Sequence, residues 1–365
     1  MINFNPYKKA VFILVLVSVP LFAHSQWVDV GNSAENIHGL GEFQKTIEIN
    51  PFTGYPVVAY CDWATSKVMV KEYDGQNWND VGNSNSKLNG YGEEGFDLAI
   101  NPLNGHYYMY YKSMSTDSSM VMEYDGVGWN DLGIISIGIA PKPLITVNPV
   151  SGDPYIIKQR SSAPKSIVRY TGSEWITVGP QDDWITKAGS IVDLKFNPIT
   201  NEPYIVFGSK VMKFDGTNWE EVGYSVGHTI SEMDFHPETN EPYVISADNS
   251  GTSLKKYIGK MEWQDIDNGN IDIKSSWNNN VEFLFNPYNN DILIAGEWND
   301  SLIVHNFSQD KIVGNSETVI DSMLTEYFNF KRSPLNNHLF MVYADANSDK
   351  LMVKEYVCST TSEIT

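Results

Sequence analysis

The sequence predicts an all-β fold, a seven-bladed β-propeller of four-stranded antiparallel blades whose ring is closed by its own N-terminal strand. Three observations predict it. The motif Trp-x-x-Val-Gly recurs at Trp27 to Gly31, Trp78 to Gly82, Trp129 to Gly133 (with Leu for Val), Trp175 to Gly179 and Trp219 to Gly223. A turn built on Asn-Pro or a close substitute occurs seven times, and an Asp-Gly-x-x-Trp signature stands between successive copies. Repeats of roughly 40 to 50 residues mark propellers, solenoids or arrays, whose units bury their faces only against neighbours.

Within one unit the residues set four short strands. Thr46 to Asn50, Pro56 to Cys61, Lys67 to Tyr73 and Asn77 to Gly82 are rich in Val, Ile, Tyr and Trp, which suit a pleated, half-buried surface. In the first turn, Asn50-Pro51-Phe52-Thr53-Gly54, Pro presets φ and Gly supplies a positive φ. Its equivalents are Asn101-Pro102, Asn148-Pro149, Asn197-Pro198, His236-Pro237, Asn286-Pro287 and Ser333-Pro334. Asp74-Gly75-x-x-Trp78 turns the third strand into the fourth. Its copies are Asp125-Gly126, Thr171-Gly172, Asp215-Gly216 and Ile258-Gly259.

The two ends complete one another. The repeat region opens on a fourth-strand motif at Trp27 and finishes on a third strand, Leu351 to Tyr356. Seven copies of strands one to three then share six internal fourth strands and one N-terminal one. A closed ring leaves only short, protected edges. The sixth fourth strand is degenerate, with Asp310 where Trp is expected before Ile312-Val313-Gly314, so that blade is expected to be looser.

Residues 1–25 read as a secretory signal: Lys8 and Lys9, an apolar run from Ala10 to Phe22, then Ala23-His24-Ser25. The run is shorter than the roughly 20 apolar residues of a membrane helix. The mature protein is therefore expected to be secreted, extracellular or periplasmic, without a membrane span. The propeller occupies residues 26–356, and 357–365 form a polar tail. Loss of Lys8 and Lys9, in a segment without Asp or Glu, takes the formal net charge from −20 to −22. Arg160, Arg169 and Arg332 are the three arginines. Binding a nucleic acid requires cations to neutralise phosphates, so nucleic acid is excluded as a partner. Cys61 and Cys358 fall at strand ends on opposite faces of the ring, whereas a disulfide needs Cα atoms within about 7 Å; no bond between them is expected.

In an up-and-down blade the first-to-second and third-to-fourth turns share one face. The second-to-third turns and the blade crossings share the other. The Asn-Pro and Asp-Gly turns are short and repeated, so their face reads as structural. The opposite face carries loops that vary, and variable loops on a rigid scaffold are where binding chemistry usually sits. Six of the ten tryptophans occupy the repeated fourth-strand position, while Trp63, Trp184, Trp277 and Trp298 break register and fall in those variable loops. Exposed aromatic rings offer platforms for the C–H faces of sugars. With Arg160 and Asp248 nearby, they are the candidate ligand-binding residues. Asp62 and Asp345 close second strands on neighbouring blades and offer oxygen ligands suited to Ca²⁺, although Asp at a strand end ordinarily caps its own turn.

Enzyme signals are thin. Zinc-protease, thiol-redox, phosphate-loop and nucleophile-elbow motifs are absent. A polysaccharide lyase or glycosidase would have to assemble His38, Tyr91, Arg160 and His228 across the variable face. The adjacent carboxylates Glu93-Glu94 and Asp182-Asp183 read as solvated pairs. No catalytic site, and no cofactor beyond that Ca²⁺ possibility, is expected.

The Asp-Gly-x-x-Trp turn resembles the Asp-box of sialidases, with Asp and Gly adjacent and Tyr73, Tyr124 or Phe214 in place of the leading Ser. The whole unit, over residues 26–356, resembles the repeat of secreted bacterial seven-bladed propellers, some compared with fucose-binding and tectonin-type lectins. The resemblance implies the fold strongly and a lectin-like role weakly, because propellers host binding and catalysis alike. A sialidase arginine triad is not supported, since Arg169 lies in a third strand and Arg332 beside the Ser-Pro turn. The expectation is a non-catalytic binding propeller taking a neutral glycan or a partner protein on the variable face. The lyase or glycosidase is the alternative, and a purely structural docking ring the third reading.

Overall fold

A computed structural model describes residues 26–37, 44–62, 64–65, 67–90, 95–116, 118–137, 143–160, 163–180, 191–248, 251–266, 281–286, 289–298, 301–308, 311–312, 318–322, 328–345, 347–348 and 350–357. Residues 1–25, where the sequence reads as a signal, and Cys358 lie outside them. Seven antiparallel sheets form the chain. In the first blade the strands run Lys45–Ile49, Pro56–Asp62, Lys67–Tyr73 and Trp78–Asp80, within two residues of the expected bounds at each end. Gln26–Asp29 pairs antiparallel with Leu351–Val357, Trp27 opposite Tyr356, so the N-terminus supplies the outer strand of blade 7.

The first strand of each blade faces the axis. These inner strands are Lys45–Ile49, Phe96–Ile100, Ile145–Val147, Ile191–Phe196, Ile230–Phe235, Val281–Phe285 and Asn329–Arg332. Each adjoins the next, and the seventh adjoins the first, so the ring is closed. Blade 6 departs from the pattern. Two short pieces, Lys311–Ile312 and Thr318–Ser322, share the outer position against Ser301–Ser308. Without the Trp and its turn, no single segment is specified there.

The repeated residues lock blade to blade at the outer edge. The indole N–H of Trp78 donates to the Val30 carbonyl at 2.9 Å, and Trp129 to Val81 at 2.9 Å. Trp175, Trp219 and Trp263 donate in turn to Leu132, Val178 and Val222. Each of these five motif Trp residues therefore bonds the motif Val, or Leu, of the preceding blade. The motif Gly follows from the same junction. Gly82 adopts φ +60°, and a Cβ there would lie 2.6 Å from the ring of Tyr124, which itself packs on Trp129. Seven interior clusters hold the buried apolar residues, most of them spanning two neighbouring blades, such as Val57, Val70, Leu98 and Met109. Cys61 is buried in its strand.

Trp27 is the exception among the described tryptophans, since its buried Nε1 has no hydrogen-bond partner among the described residues. Trp129→Phe strands the Val81 carbonyl and is expected to lower unfolding stability by about 1–3 kcal/mol. Trp27→Phe removes only an unsatisfied donor and is expected to cost less than about 1 kcal/mol. Urea unfolding midpoints of the two variants provide the check; equal losses would refute the indole lock.

Candidate functional site

Strand pairing sets the sequence-predicted residues on the ring. Arg160 pairs with Ala163, Asp248 with Gly251 and Trp298 with Ser301, each closing a second strand at the turn into the third. All three positions therefore share the face opposite the Asn-Pro turns; their side chains lie outside the described residues. Trp63, Trp184, Trp277, His38 and Tyr91 fall outside them altogether, as do Glu93-Glu94 and Asp182-Asp183. His228 is exposed on the crossing between blades 4 and 5. Asp62 and Asp345 are engaged in their own turns. Asp62 Oδ1 accepts from the backbone N–H and hydroxyl of Thr65, and Asp345 accepts from Asn347 and from the N–H and hydroxyl of Ser348. Among the described residues no His, Cys, Asp and Glu cluster is arranged to hold a metal ion.

Sequence reasoning missed the axis. The inner edge of each inner strand has no strand partner, so alternate N–H groups point at the neighbouring blade and need acceptors. The residue four places before each turn Asn or its substitute supplies them. Asp97 Oδ2 accepts from Ile145 N–H (2.9 Å), Asp193 Oδ2 from Met233 (3.0 Å), Glu232 Oε2 from Phe283 (2.9 Å) and Glu282 Oε2 from Phe330 (2.6 Å). Asn329 Oδ1 accepts from Ile47 and closes the ring (3.2 Å). Blades 1 and 3 carry Thr46 and Leu144 at this position. There the following blade's own Asp turns its second oxygen inward: Asp97 Oδ1 takes Leu98 N–H and Asp193 Oδ1 takes Leu194 N–H. The signal was legible as a column, but only the closed ring shows what it bonds.

Two lysines balance part of this charge. Lys195 Nζ lies 3.1 Å from Glu232 Oε1, and Lys331 Nζ lies 3.1 Å from Glu48 Oε1. Burial alone would push both ammonium groups down. The surrounding carboxylates, Glu232 foremost for Lys195 and Glu48 for Lys331, more than reverse that and raise both. Burial pushes the carboxyls of Asp97 and Glu282 up to about 7, against the hydrogen bonds they accept.

Next to this network lies a cavity of about 390 Å³. Its lining includes Lys195, Glu232, Asp234 and Lys331 with Phe196, Phe235, Phe285 and Phe330, and it reaches Pro198 and Pro237 of the Asn-Pro turns. It therefore opens on the turn face. It is also one-sided. Blades 1 to 3 place Ile49, Ile100 and Val147 just before the turn, whereas blades 4 to 6 place Phe196, Phe235 and Phe285 there and blade 7 places Arg332.

No protein-family model and no curated protein sequence matches the chain. Solved structures do share its fold. YCF48 bound to a D1 peptide is 14% identical over 93% of this chain and 97% of that one, with a TM-score of 0.55. YCF48 from Cyanidioschyzon merolae is 13% identical over 90% and 98%, with a TM-score of 0.55. A GH74 enzyme of Niastella koreensis is 15% identical over 89% of this chain but only 55% of its own, with a TM-score of 0.53. The chain is a seven-bladed propeller. At these identities the likeness speaks for the fold alone.

The axial carboxylates make stability depend on pH. The carboxyl of Glu282 keeps its proton in the folded state up to about pH 7 and loses it near 4.5 when unfolded. Between those values the folded state binds more protons, so stability is higher near pH 5 and falls as pH rises through 7. Asp74, Asp125 and Asp215 act in the opposite sense at lower pH. Backbone N–H groups of their own turns hold these carboxyls below the usual range, Asp125 at about 2, so their contribution is lost as pH falls. Chemical unfolding at pH 5, 6.5 and 8 is expected to show a decline of about 1–3 kcal/mol. Glu282→Gln is expected to reduce the decline, leaving the share of Asp97; an unchanged slope would mean that Glu282 contributes nothing to it.

Proposed function

We propose that the protein is a binding propeller without turnover, taking a neutral glycan or a segment of a partner protein on the variable-loop face. The observation that carries this reading is the state of the axial carboxylates. Asp97, Asp193, Glu232 and Glu282 each have both oxygens engaged, in hydrogen bonds to backbone N–H groups, to Asn329 Nδ2 or to the ammonium of Lys195. A catalytic acid or base must offer an oxygen to the substrate. These four hold blades together instead, which supports binding over hydrolysis by these four carboxylates.

The fold's neighbours include a propeller with a bound peptide and a GH74 enzyme, so the architecture accommodates either class. What favours the variable face is that the off-register Trp298 position, with Arg160 and Asp248, stands at second-to-third turns of that one face. Trp63, directly after the second strand of blade 1, belongs to the same set. The ring serves as a secreted binding module in this reading.

The test uses the mature chain from Gln26 onwards. A glycan array followed by calorimetry is expected to find a neutral ligand whose affinity falls about tenfold or more in Trp63→Ala or Trp298→Ala, as for aromatic anchors at binding surfaces. Reducing-end and unsaturated-uronate assays over a polysaccharide panel are expected to stay silent. Turnover in either assay would replace this reading with the enzyme, and binding unchanged in both variants would remove those tryptophans from the site.

A further inference from the structure

The turn face carries an apolar ring that its turn chemistry does not require. An Asn-Pro hairpin needs the side-chain acceptor, the fixed φ of Pro, and Gly or Asn at positive φ. The residue after Pro is free. Yet it is Phe52, Leu103, Val150, Ile199 and Leu335 in blades 1, 2, 3, 4 and 7, exposed by 57%, 54%, 69%, 74% and 56%. Neighbouring turns are linked from blade 7 through blades 1 and 2 to blade 3. A Cβ on Gly105 would meet the Phe52 ring at 3.2 Å, one on Gly152 would meet Leu103 at 3.3 Å, and one on Gly54 would meet Leu335 at 3.4 Å. Phe52, Leu103 and Leu335 thus lean on the next turn, while more than half of each of the five side chains stays in water. Packing accounts for the first part and not for the second.

The turns are cross-linked beneath that ring. Asn50 Nδ2 donates to Tyr107 Oη, Asn101 Nδ2 to the Gly152 carbonyl, Asn201 Nδ2 to Asn148 Oδ1 and Asn240 Nδ2 to Asn197 Oδ1. The apolar residues therefore ride on a rigid base. The axial cavity opens on the same face, with Phe196, Phe235 and Phe285 in its lining. Contiguous exposed apolar surface of this kind, rimmed by polar groups, marks an interaction site.

Charge selects the occupant. Blade 5 interrupts the apolar ring with Glu238, and Glu241 is exposed in the same turn. Around it stand the exposed Asp74, Asp125 and Asp215 of the Asp-Gly turns. Among the described Asn-Pro and Asp-Gly turns, Lys260 is the one exposed Lys or Arg; Arg332 adds a cation at the cavity rim. Two copies of this chain set face to face would bring carboxylates against carboxylates, which is unfavourable.

We propose that the Asn-Pro turn face is a second docking surface, for a segment of a partner protein that interleaves apolar side chains with Lys or Arg. The apolar side chains rest on the ring of Phe52, Leu103, Val150, Ile199 and Leu335 and enter the axial cavity. The basic side chains meet Glu238, Glu241 and the turn aspartates. This surface is opposite the glycan-or-protein face proposed above and independent of it.

The experiment measures binding of three fluorescein-labelled peptides to the mature chain by anisotropy: an amphipathic Leu/Lys peptide, its Leu/Glu counterpart, and oligolysine of the same charge. The Leu/Lys peptide is expected to bind at least tenfold more tightly than either control. Leu103→Ser with Ile199→Ser, both at exposed positions, is expected to weaken it at least tenfold with the melting temperature unchanged. Glu238→Gln with Glu241→Gln is expected to weaken it about threefold and to reduce its salt dependence. Trp298→Ala is expected to leave it unchanged, which separates this surface from the variable face. Equal binding of oligolysine, wild-type affinity in the serine variant, or a dimer in sedimentation that the serine variant disperses would each overturn the proposal.

Discussion

Everything in this ring depends on how seven inner strands dispose of one unpaired edge. A sheet edge facing the axis exposes backbone N–H groups that water cannot freely reach, and an orphaned buried donor is costly. The chain answers with acceptor side chains at one register position: Asp97, Asp193, Glu232, Glu282 and Asn329. Because each acceptor belongs to one blade and each donor to the next, satisfying the backbone and closing the ring are the same event. The two junctions without an acceptor are covered by the second oxygen of Asp97 and of Asp193.

The solution has an electrostatic consequence. Carboxylates concentrated on an axis repel one another and lose hydration, so the protein supplies Lys195 and Lys331 as partners and holds Asp97 and Glu282 near neutrality. A half-buried ion pair of this kind adds little net stability over an apolar pair. Its value here is positional, since the same carboxylates must stay oriented toward the next blade. At the outer edge the problem is solved without charge, by an indole N–H to a Val or Leu carbonyl. The ring is thus held by ionic and polar contacts inside and by aromatic ones outside.

Much of this was legible in the sequence, though unevenly. The blade count, the strand bounds and the N-terminal closure followed from motif register, because turn chemistry and β-branched or aromatic runs are local signals. The degenerate fourth strand of blade 6 was legible too, with Asp310 in place of Trp, and two short pieces share that outer position. The axial acceptors were harder. Asp97 and Glu282 look like ordinary polar positions in half-buried strands until the strands that neighbour them in space are known. The Asn-Pro face reads as structural from its turn chemistry for the same reason. Phe52, Leu103 and Ile199 each look like a routine loop residue, and only when the turns are set side by side do they share one exposed face.

By itself the sequence determined the repeat unit, its four strands and the fact that its two ends are complementary parts of one blade. Those are properties of residues close along the chain, where φ preferences, side-chain alternation and cap chemistry act. Only the tertiary structure decided which N–H meets which carboxylate and which Trp bonds which blade. It alone also made one ring out of exposed residues some 50 positions apart in the chain. These depend on closing the circle, which brings Asn329 against Ile47 and Leu335 against Gly54.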